Sequence, residues 1–313
     1  MQGEGFERLG AMADLVYDPW IDQHPLRIYS SAQLAERIAD VRADALVVEV
    51  DFVGAEVFAH PLIAVAATRA DPVNVDLSAA REAGVPVLYC PGRNAEAVAE
   101  LAVALLFALA RKVVLADQDV RSGQVYKKGT IPYQRFRSWE LAGRTAGLVG
   151  LGSVGRALKW RLEGLGMTVI AYDPYSDEPT VSLDELLERS DVVSMHALVT
   201  PETTGMIAAA QFAAMKPESL YINSARARLH DTAALVDALQ SGSIAGAALD
   251  HFDGENLPVD HPLITLPNVV LTPHIGGATW DTECRQASMV ADDLQRLLAG
   301  ELPIHAIHSP VVG

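Results

Sequence analysis

The chain has 313 residues, of which 50% are hydrophobic and 20% are charged, and its formal net charge is -16. This length is typical of two domains, and the hydrophobic content excludes a disordered chain. The 40 acidic residues outnumber the 24 basic ones and repel phosphate backbones, so we expect no nucleic-acid partner. An anionic small ligand would need a local group of arginines.

The cysteines and the apolar segments indicate in which cellular compartment the protein is expected. Cys90 and Cys284 are far apart and match no disulfide or metal-ligand pattern, which favours a reducing compartment. The N-terminal residues do not resemble a signal peptide. The longest apolar segment, 101–110, is shorter than the about 20 residues that cross a bilayer. We therefore expect a cytoplasmic protein that does not insert into a membrane.

Short apolar segments alternate with helical patterns along the chain, which predicts β-α-β units and parallel sheets. The first third is predicted to contain strands at 14–17, 45–48, 62–66 and 85–88 and helices at 31–39 and 77–83. A long helix follows Asn94, whose side chain can cap it, and continues to Arg111. Because this helix is apolar on all faces, we expect it to be buried in the core or against a second subunit.

The middle of the chain alternates strands and helices more regularly. Strands are predicted at 145–149, 168–172, 192–195, 220–223, 245–249 and 269–271, and helices at 153–165, 183–188, 208–215, 232–240 and 279–298. The polar segment 121–140 differs in composition from its neighbours. It is predicted to form an arm at the surface or at an interface.

A glycine-rich turn follows the predicted strand at 145–149. Gly150, Gly152 and Gly155 form a G-x-G-x-x-G pattern that opens a helix, and Asp173 ends the next strand. The first two glycines permit a tight turn and close approach of a pyrophosphate, and the third permits packing of helix on strand. The N–H groups at the helix start would bind phosphates, while Asp173 would bind ribose hydroxyls and repel a 2′-phosphate. The pattern predicts a dinucleotide site that favours NAD over NADP.

Several ionisable side chains follow later predicted strands. Arg226, Asp250, Glu255 and His274 each come shortly after a strand. A single histidine in such a place is more often structural than reactive. However, the carboxyl ends of parallel strands in a doubly wound sheet converge on one crevice, which is also the edge of the glycine turn. Their joint placement therefore predicts a site that faces the nicotinamide end of a dinucleotide.

The sequence resembles the D-isomer-specific 2-hydroxyacid dehydrogenases, which include D-3-phosphoglycerate dehydrogenases and glyoxylate/hydroxypyruvate reductases. The resemblance extends from about Val65 to Ala278. Besides the glycine turn, it is carried by Asn74-Val75-Asp76, Pro91-Gly92-Arg93-Asn94, Val98-Ala99-Glu100, Tyr172-Asp173-Pro174, Asp191-Val192-Val193-Ser194-Met195-His196, Met215-Lys216-Pro217, Ile222-Asn223-Ser224-Ala225-Arg226, Gly246-Ala247-Ala248-Leu249-Asp250 and Thr272-Pro273-His274-Ile275-Gly276-Gly277.

The resemblance implies an α/β architecture with two doubly wound parallel-sheet domains. A Rossmann-type NAD domain, 96–282, would be inserted into a smaller, flavodoxin-like substrate domain built from 1–95 and 283–313. Closure of the two domains would exclude water before hydride transfer. The resemblance also implies a homodimer, NAD as the cofactor and a small anionic 2-oxo or D-2-hydroxy acid as the substrate.

The resemblance also implies a role for each matching residue. Arg226 would bind the carboxylate and carbonyl oxygen of the substrate, His274 would be the general acid and base, and Glu255 would orient the imidazole. These roles agree with the chemistry, because hydride addition leaves negative charge on oxygen and a cation and a proton donor stabilise it. The cofactor would be bound by Gly150, Gly152, Ser153, Val154, Gly155, Asp173, His196, Ala225, Asp250, Gly276 and Gly277.

The substrate loop departs from the family pattern. Arg69, Ala70 and Arg93 are predicted to bind substrate together with Arg226, yet Asp71 stands where a glycine is common. Arg69 and Arg93 are equally compatible with a second anion-binding position and with ordinary ion-paired arginines. His251 stands where valine is usual. We predict no metal site and interpret His230, His251, His261, His305 and His308 as structural.

Two alternative functions stay open at this point. Corepressors related to this family keep the same fold and triad, so an NAD-sensing interaction protein is one of them. The other is a dehydrogenase of a different small anion, such as phosphite. Formate dehydrogenases pair the histidine with glutamine, so Glu255 argues against them.

Overall fold

The computed structural model describes residues 1–307, with Lys128 described by its backbone alone. The strands are β1 (Ala45–Val48), β2 (Ala64–Ala67), β3 (Val87–Leu88), β4 (Thr145–Val149), β5 (Thr168–Tyr172), β6 (Val192–Met195), β7 (Leu220–Asn223), β8 (Gly246–Leu249) and β9 (Val269–Leu271). The helices are α1 (Glu4–Met12), α2 (Ser31–Val41), α3 (Ala55–Phe58), α4 (Leu77–Glu82), α5 (Ala95–Ala110), α6 (Val113–Arg121), α7 (Pro132–Arg135), α8 (Ser153–Gly164), α9 (Leu183–Arg189), α10 (Ala209–Ala214), α11 (Thr232–Ser241), α12 (Pro262–Thr265) and α13 (Trp280–Leu298). Short 3-10 turns occur at Trp20–Asp22, Lys127–Gly129, Ala227–Leu229 and Asp253–Glu255.

Within these residues the strands form two sheets in which neighbouring strands are parallel. The smaller sheet has the order β1-β2-β3, and the larger has the order β5-β4-β6-β7-β8-β9. In the larger sheet, β5 lies on one side of β4 and β6 lies on the other, so the strand order reverses between β4 and β6. A topological switch point of this kind opens a ligand crevice at the carboxyl ends of the strands. The predicted α/β class with parallel sheets is confirmed.

The chain divides into two compact units. One consists of Met1–Arg93 and the segment that begins at Thr279, and the other is Asn94–Ala278. The sequence predicts boundaries after residues 95 and 282, whereas the two units divide after Arg93 and before Thr279. Asn94 and Thr279 occupy the N-cap positions of α5 and α13, so each long helix belongs to one unit from its first residue.

The predicted strand at 14–17 is wrong, and the helix α1 was not foreseen. Residues 14–17 have no strand partner and follow α1, which packs on α13. Tyr17 instead accepts a hydrogen bond from the N-terminal amine of Met1 (3.1 Å), and its ring lies 4.9 Å from that of Phe6. An apolar segment becomes a strand only where a sheet edge is available to pair with it.

Helix α5 packs against α8 and the strands β7, β8 and β9 through buried residues such as Leu105 and Leu106, while Ala104 and Phe107 are exposed. Asn94 stands at its N-cap without the predicted side-chain hydrogen bond. Helices α9, α10 and α11 contribute to a second apolar core in the same unit, with the buried residues Leu186, Phe212 and Leu235. Among residues 1–307, no helix combines the length and the apolar composition needed to cross a membrane.

Candidate active site

The three glycines of the turn in the larger unit differ in what a Cβ atom at each position would meet. Gly150 has a φ of 101°, and a Cβ on it would lie 2.6 Å from the carbonyl carbon of His196. A Cβ on Gly155 would lie 2.2 Å from the carbonyl oxygen of Gly150. A Cβ on Gly152 would have no neighbour within 4 Å, so this glycine leaves open space beside the start of α8. A pyrophosphate fits that space.

The N-terminus of α8 and the carboxylate of Asp173 lie next to this open space. Ser153 and Val154 are the first residues of the helix, so their N–H groups lack acceptors within it. Asp173 accepts hydrogen bonds from the N–H groups of Leu151 (2.7 Å) and Tyr175 (2.9 Å). The carboxylate is thereby held against the glycine turn, where an adenosine ribose would be bound.

His196 directly follows β6, lies beside Gly150 and is the third element of the nucleotide site. Its Nε2 lies 2.9 Å from the hydroxyl of Ser194, while its Nδ1 is buried without a hydrogen-bond partner among the described residues. Burial lowers the pKa of this imidazole to about 4, so the ring is neutral at pH 7. The glycines, the helix terminus, Asp173 and the orphaned nitrogen together fit a dinucleotide.

Asn223, the last residue of β7, holds the loop that carries Arg226. Its Oδ1 accepts hydrogen bonds from the N–H groups of Ala225 (3.0 Å) and Arg226 (3.2 Å). Its Nδ2 donates to the carbonyl of Arg226 (2.8 Å) and lies 2.9 Å from Nδ1 of His230. The backbone on both sides of Arg226 is therefore set by one buried side chain. The sequence analysis missed this role, although an asparagine at a strand end is a known signal of side-chain-to-backbone bonding.

Glu255 and His274 form the central pair of the site. Nδ1 of His274 lies 3.0 Å from Oε2 of Glu255. Both side chains are exposed, and both residues have positive φ angles, 59° for Glu255 and 55° for His274. Non-glycine residues in this region are strained, and such strain is concentrated at functional sites where the surrounding structure enforces it.

Asp250 enforces the conformation of the loop that contains His274. Its fully buried carboxylate accepts hydrogen bonds from the Thr272 hydroxyl (2.6 Å) and from the N–H groups of Ile275 (2.9 Å) and Gly276 (2.8 Å). A Cβ on Gly276 would lie 3.1 Å from this carboxylate, and one on Gly277 would lie 3.2 Å from Nδ2 of Asn94. Asp250 thus anchors the histidine loop, and its contact with the cofactor stays a prediction.

His251 connects Arg226 with the Glu255–His274 pair. Its side chain is 4% exposed, its Nε2 lies 3.2 Å from Nη1 of Arg226, and its ring centroid lies 3.6 Å from that of His274. Imidazole nitrogens of His251 and His274 and a carboxylate oxygen of Glu255 lie within 4.8 Å of one another, a spacing that can hold a metal ion. The guanidinium of Arg226 beside them opposes a cation. The absence of a metal site stays a prediction.

The predicted substrate residues of the smaller unit have partners within that unit. Arg93 is hydrogen-bonded to the buried Gln286, and its Nη1 lies 3.4 Å from Oε1 of Glu49. Arg69 donates to the carbonyl of Glu49 at 3.5 Å, and Ala70 is exposed. Burial lowers the pKa of Arg93, an effect that the carboxylate of Glu49 opposes. The positive charge of Arg93 is therefore matched by a carboxylate.

Three other histidines have structural environments. His230 is buried against Tyr221, and burial lowers the pKa of its imidazole to about 4. His261 accepts a hydrogen bond from the N–H of Leu263 at the start of α12, and His305 lies 3.1 Å from Asp293. His308 lies outside the described residues. His251 differs from this group because its partners are Arg226, His274 and Glu255.

Known proteins share this sequence pattern and fold. The family described as "D-isomer specific 2-hydroxyacid dehydrogenase, NAD binding domain" matches residues 103–276. A glyoxylate reductase of Korarchaeum cryptofilum is 39% identical over 306 residues, which cover 94% of this chain and 90% of the relative. The chain belongs to this family. It is accordingly an oxidoreductase that acts on CH–OH groups with NAD as cofactor.

A further relative and two solved structures are also similar to this chain. A D-3-phosphoglycerate dehydrogenase of Archaeoglobus fulgidus is 38% identical over 76% of this chain, which spans 46% of that longer protein. A crystal structure of a Thermus thermophilus protein superposes with a TM-score of 0.81 at 36% identity, covering 98% of this chain and 97% of the other. D-lactate dehydrogenase with NAD⁺ from Lactobacillus jensenii gives a TM-score of 0.78 at 27% identity, covering 89% of each chain.

Proposed function

We propose that this dehydrogenase reduces a small, unphosphorylated 2-oxo acid with NADH and, in reverse, oxidises the D-2-hydroxy acid. The observation that carries the proposal is the hydrogen bond of 3.0 Å between His274 and Glu255. His251 joins this pair to Arg226, so that a proton donor and a cation are grouped at the carboxyl ends of β7, β8 and β9. Reduction of a carbonyl next to a carboxylate requires this combination of groups.

The residues act on different atoms of the substrate. NAD, bound at the glycine turn, supplies or accepts the hydride. Arg226 binds the carboxylate and the carbonyl oxygen, because guanidinium matches a carboxylate in charge and shape. With Nδ1 of His274 engaged by Glu255, the opposite nitrogen, Nε2, delivers the proton to the carbonyl oxygen as negative charge develops there. Glu255 keeps the imidazole in one tautomer and stabilises its cationic form.

The absence of a phosphate from the proposed substrate follows from the charges of the smaller unit. A phosphate needs cations whose charge is not already balanced, and Arg93 is paired with Glu49 at 3.4 Å. Asp71, exposed in the same loop as Arg69, adds a further negative charge. We therefore propose glyoxylate or hydroxypyruvate in preference to phosphohydroxypyruvate. The relative from Korarchaeum cryptofilum, named a glyoxylate reductase, supports this choice.

The test is NADH oxidation with glyoxylate, hydroxypyruvate, pyruvate and phosphohydroxypyruvate, each repeated with NADPH. We expect turnover to be highest with glyoxylate or hydroxypyruvate and to favour NADH, because Asp173 would repel a 2′-phosphate. His274→Ala should lower kcat by about 10²–10⁴-fold and leave NADH affinity unchanged. Binding of NADH by the folded protein without turnover of any 2-oxo acid would contradict the proposal and favour an NAD-sensing protein.

We also propose a homodimer formed through the segment that follows α5, and a cytoplasmic location. Helix α5 buries most of its apolar side chains within its own unit but exposes Phe107. The segment that follows it exposes Val113, Val120, Tyr126 and Tyr133. Exposed apolar side chains of this kind favour association. Light scattering after gel filtration distinguishes a dimer near twice 33.5 kDa from a monomer.

A further inference from the structure

We propose that His251 is a positioning residue that holds the guanidinium of Arg226 in the orientation that binds the substrate carboxylate. The inference rests on the proposed function, since it concerns how a 2-oxo acid is bound. It gives a role to a histidine that stands where the family usually has an apolar valine. It also gives a reason for the contacts of this buried histidine with Arg226 and His274.

The hydrogen bonds of one guanidinium nitrogen carry the argument. Nη1 of Arg226 donates to the carbonyl of Ala225 at 2.7 Å and lies 3.2 Å from Nε2 of His251. An arginine has only donors, so Nε2 must be the acceptor in this contact. The two N–H groups of Nη1 are thus directed at two fixed acceptors in the protein. Rotation of the guanidinium plane would break both bonds, and a planar group held in this way is pre-organised for a carboxylate.

The position of His251 makes it a rigid acceptor. It directly follows Asp250, whose carboxylate is fully buried and accepts three hydrogen bonds from the histidine loop. On its other side, the ring of His251 packs at 3.6 Å from the ring of His274. The imidazole of His251 is therefore packed between a fixed backbone position and the ring of His274.

The protonation state of His251 suits this role. Burial, and secondarily electrostatic repulsion from His274 and Arg226, lower the pKa of its imidazole to about 3, so the ring is neutral at pH 7. With Nε2 accepting, the proton is on Nδ1, which faces Oε1 of Glu255 at 3.8 Å, beyond hydrogen-bond distance. A neutral acceptor orients the guanidinium without cancelling its charge, whereas a carboxylate in the same place would compete with the substrate.

Two amide variants test the proposal because they differ only in reach. The amide of His251→Gln can occupy the position of Nε2 and accept from Arg226, whereas the shorter amide of His251→Asn reaches only the position of Nδ1. We expect His251→Asn to raise KM for glyoxylate about tenfold, the loss of a hydrogen bond to a charged group. His251→Gln should remain within about threefold of the wild type, and KM for NADH should be unchanged in both.

A double-mutant cycle separates positioning from a general structural effect. In an Arg226→Ala background, a change of His251→Gln to His251→Asn should no longer alter kcat/KM, because the donor that the acceptor binds is gone. His251→Phe, which keeps a ring against His274 but has no acceptor, replaces the Asn variant if circular dichroism shows that the latter is unfolded. The inference would be overturned if KM for glyoxylate were the same in His251→Gln as in His251→Asn or His251→Phe. It would also be overturned if KM for NADH rose in parallel. Wild-type protein without 2-oxo acid turnover would instead overturn the proposed function.

Discussion

Arg226 in the larger unit and Arg93 in the smaller unit were both predicted to bind an anion, and their surroundings differ in one decisive respect. Arg93 lies 3.4 Å from the carboxylate of Glu49 and is also bonded to Gln286. Nη1 of Arg226 instead contacts two neutral acceptors, the carbonyl of Ala225 and the imidazole of His251. Both arginines are held in place, but a carboxylate balances the charge of Arg93, whereas these two acceptors at Arg226 carry no net charge.

An arginine in a loop after a strand is therefore not by itself a substrate anchor. The chemistry of the groups that hold it determines what the guanidinium can still bind. A neutral acceptor gives orientation at little expense of electrostatic attraction, whereas a carboxylate gives orientation and removes most of that attraction. Variants of the two arginines and of their partners measure how far the roles of Arg226 and Arg93 in substrate binding differ.

The largest effect is expected for exchange of the arginines themselves. Arg226→Gln should lower kcat/KM for glyoxylate by about 10²–10³-fold, because it removes a cation from the developing negative charge. The matched variant Arg93→Gln should change kcat/KM by less than about threefold if Glu49 already balances its charge. Steady-state kinetics of both variants measures this. A comparable loss of kcat/KM in the two variants would show that Arg226 and Arg93 do not differ in substrate binding.

An intermediate effect is expected when the support of Arg226 is removed. Asn223→Ala deletes an acceptor of two N–H groups and a donor to one carbonyl, so the loop around Arg226 loses its fixed geometry. We expect kcat/KM for glyoxylate to fall about tenfold and the free energy of unfolding to fall by about 2 kcal/mol. Kinetics and urea denaturation report the two quantities separately. Asn223→Asp, which retains the acceptor oxygen, should recover part of both losses. An unchanged kcat/KM in Asn223→Ala would show that Arg226 needs no such support.

The smallest effect on catalysis is expected at the partner of Arg93. Glu49→Gln leaves a largely buried guanidinium without its carboxylate, so the free energy of unfolding should fall by about 1–2 kcal/mol. Turnover of glyoxylate should change by less than about twofold, since the group concerned does not hold Arg226. In the double variant with Arg93→Gln, part of the lost stability should return. A strong effect of Glu49→Gln on turnover would place Arg93 in the reaction after all.

The sequence predicted the parts of this protein that depend on local chemistry. The glycine turn was foreseen because its G-x-G-x-x-G pattern lies within six consecutive residues, 150–155, directly after a predicted strand. The strands β4 to β9 were predicted to within a residue because they are short apolar segments between clear helix signals. Strand 14–17 failed because its apolar residues carry no information about whether a sheet edge lies beside them. The helix α1 was missed because its stability comes from packing on α13, at the other end of the chain.

In the candidate site, too, some features are readable in the sequence and others depend on the folded structure. That Arg226, Glu255 and His274 follow successive strands is readable in the sequence, and the doubly wound fold brings strand ends to one edge. The bond of Glu255 to His274, the anchoring of the histidine loop by Asp250 and the contact of His251 with Arg226 depend on side-chain distances of 2.6–3.2 Å. Such distances are set by backbone conformations, including the positive φ angles of Glu255 and His274, that sequence patterns do not specify.

The sequence by itself therefore determined the family, the NAD cofactor and the order of the chemical groups along the sheet, because motifs and strand periodicity are local properties of the chain. The tertiary structure decided which charges are balanced. It pairs Arg93 with Glu49, residues that are distant along the chain, and places two neutral acceptors, the Ala225 carbonyl and His251, at Nη1 of Arg226. Electrostatic attraction depends on distance and burial in space, and only the folded chain sets those.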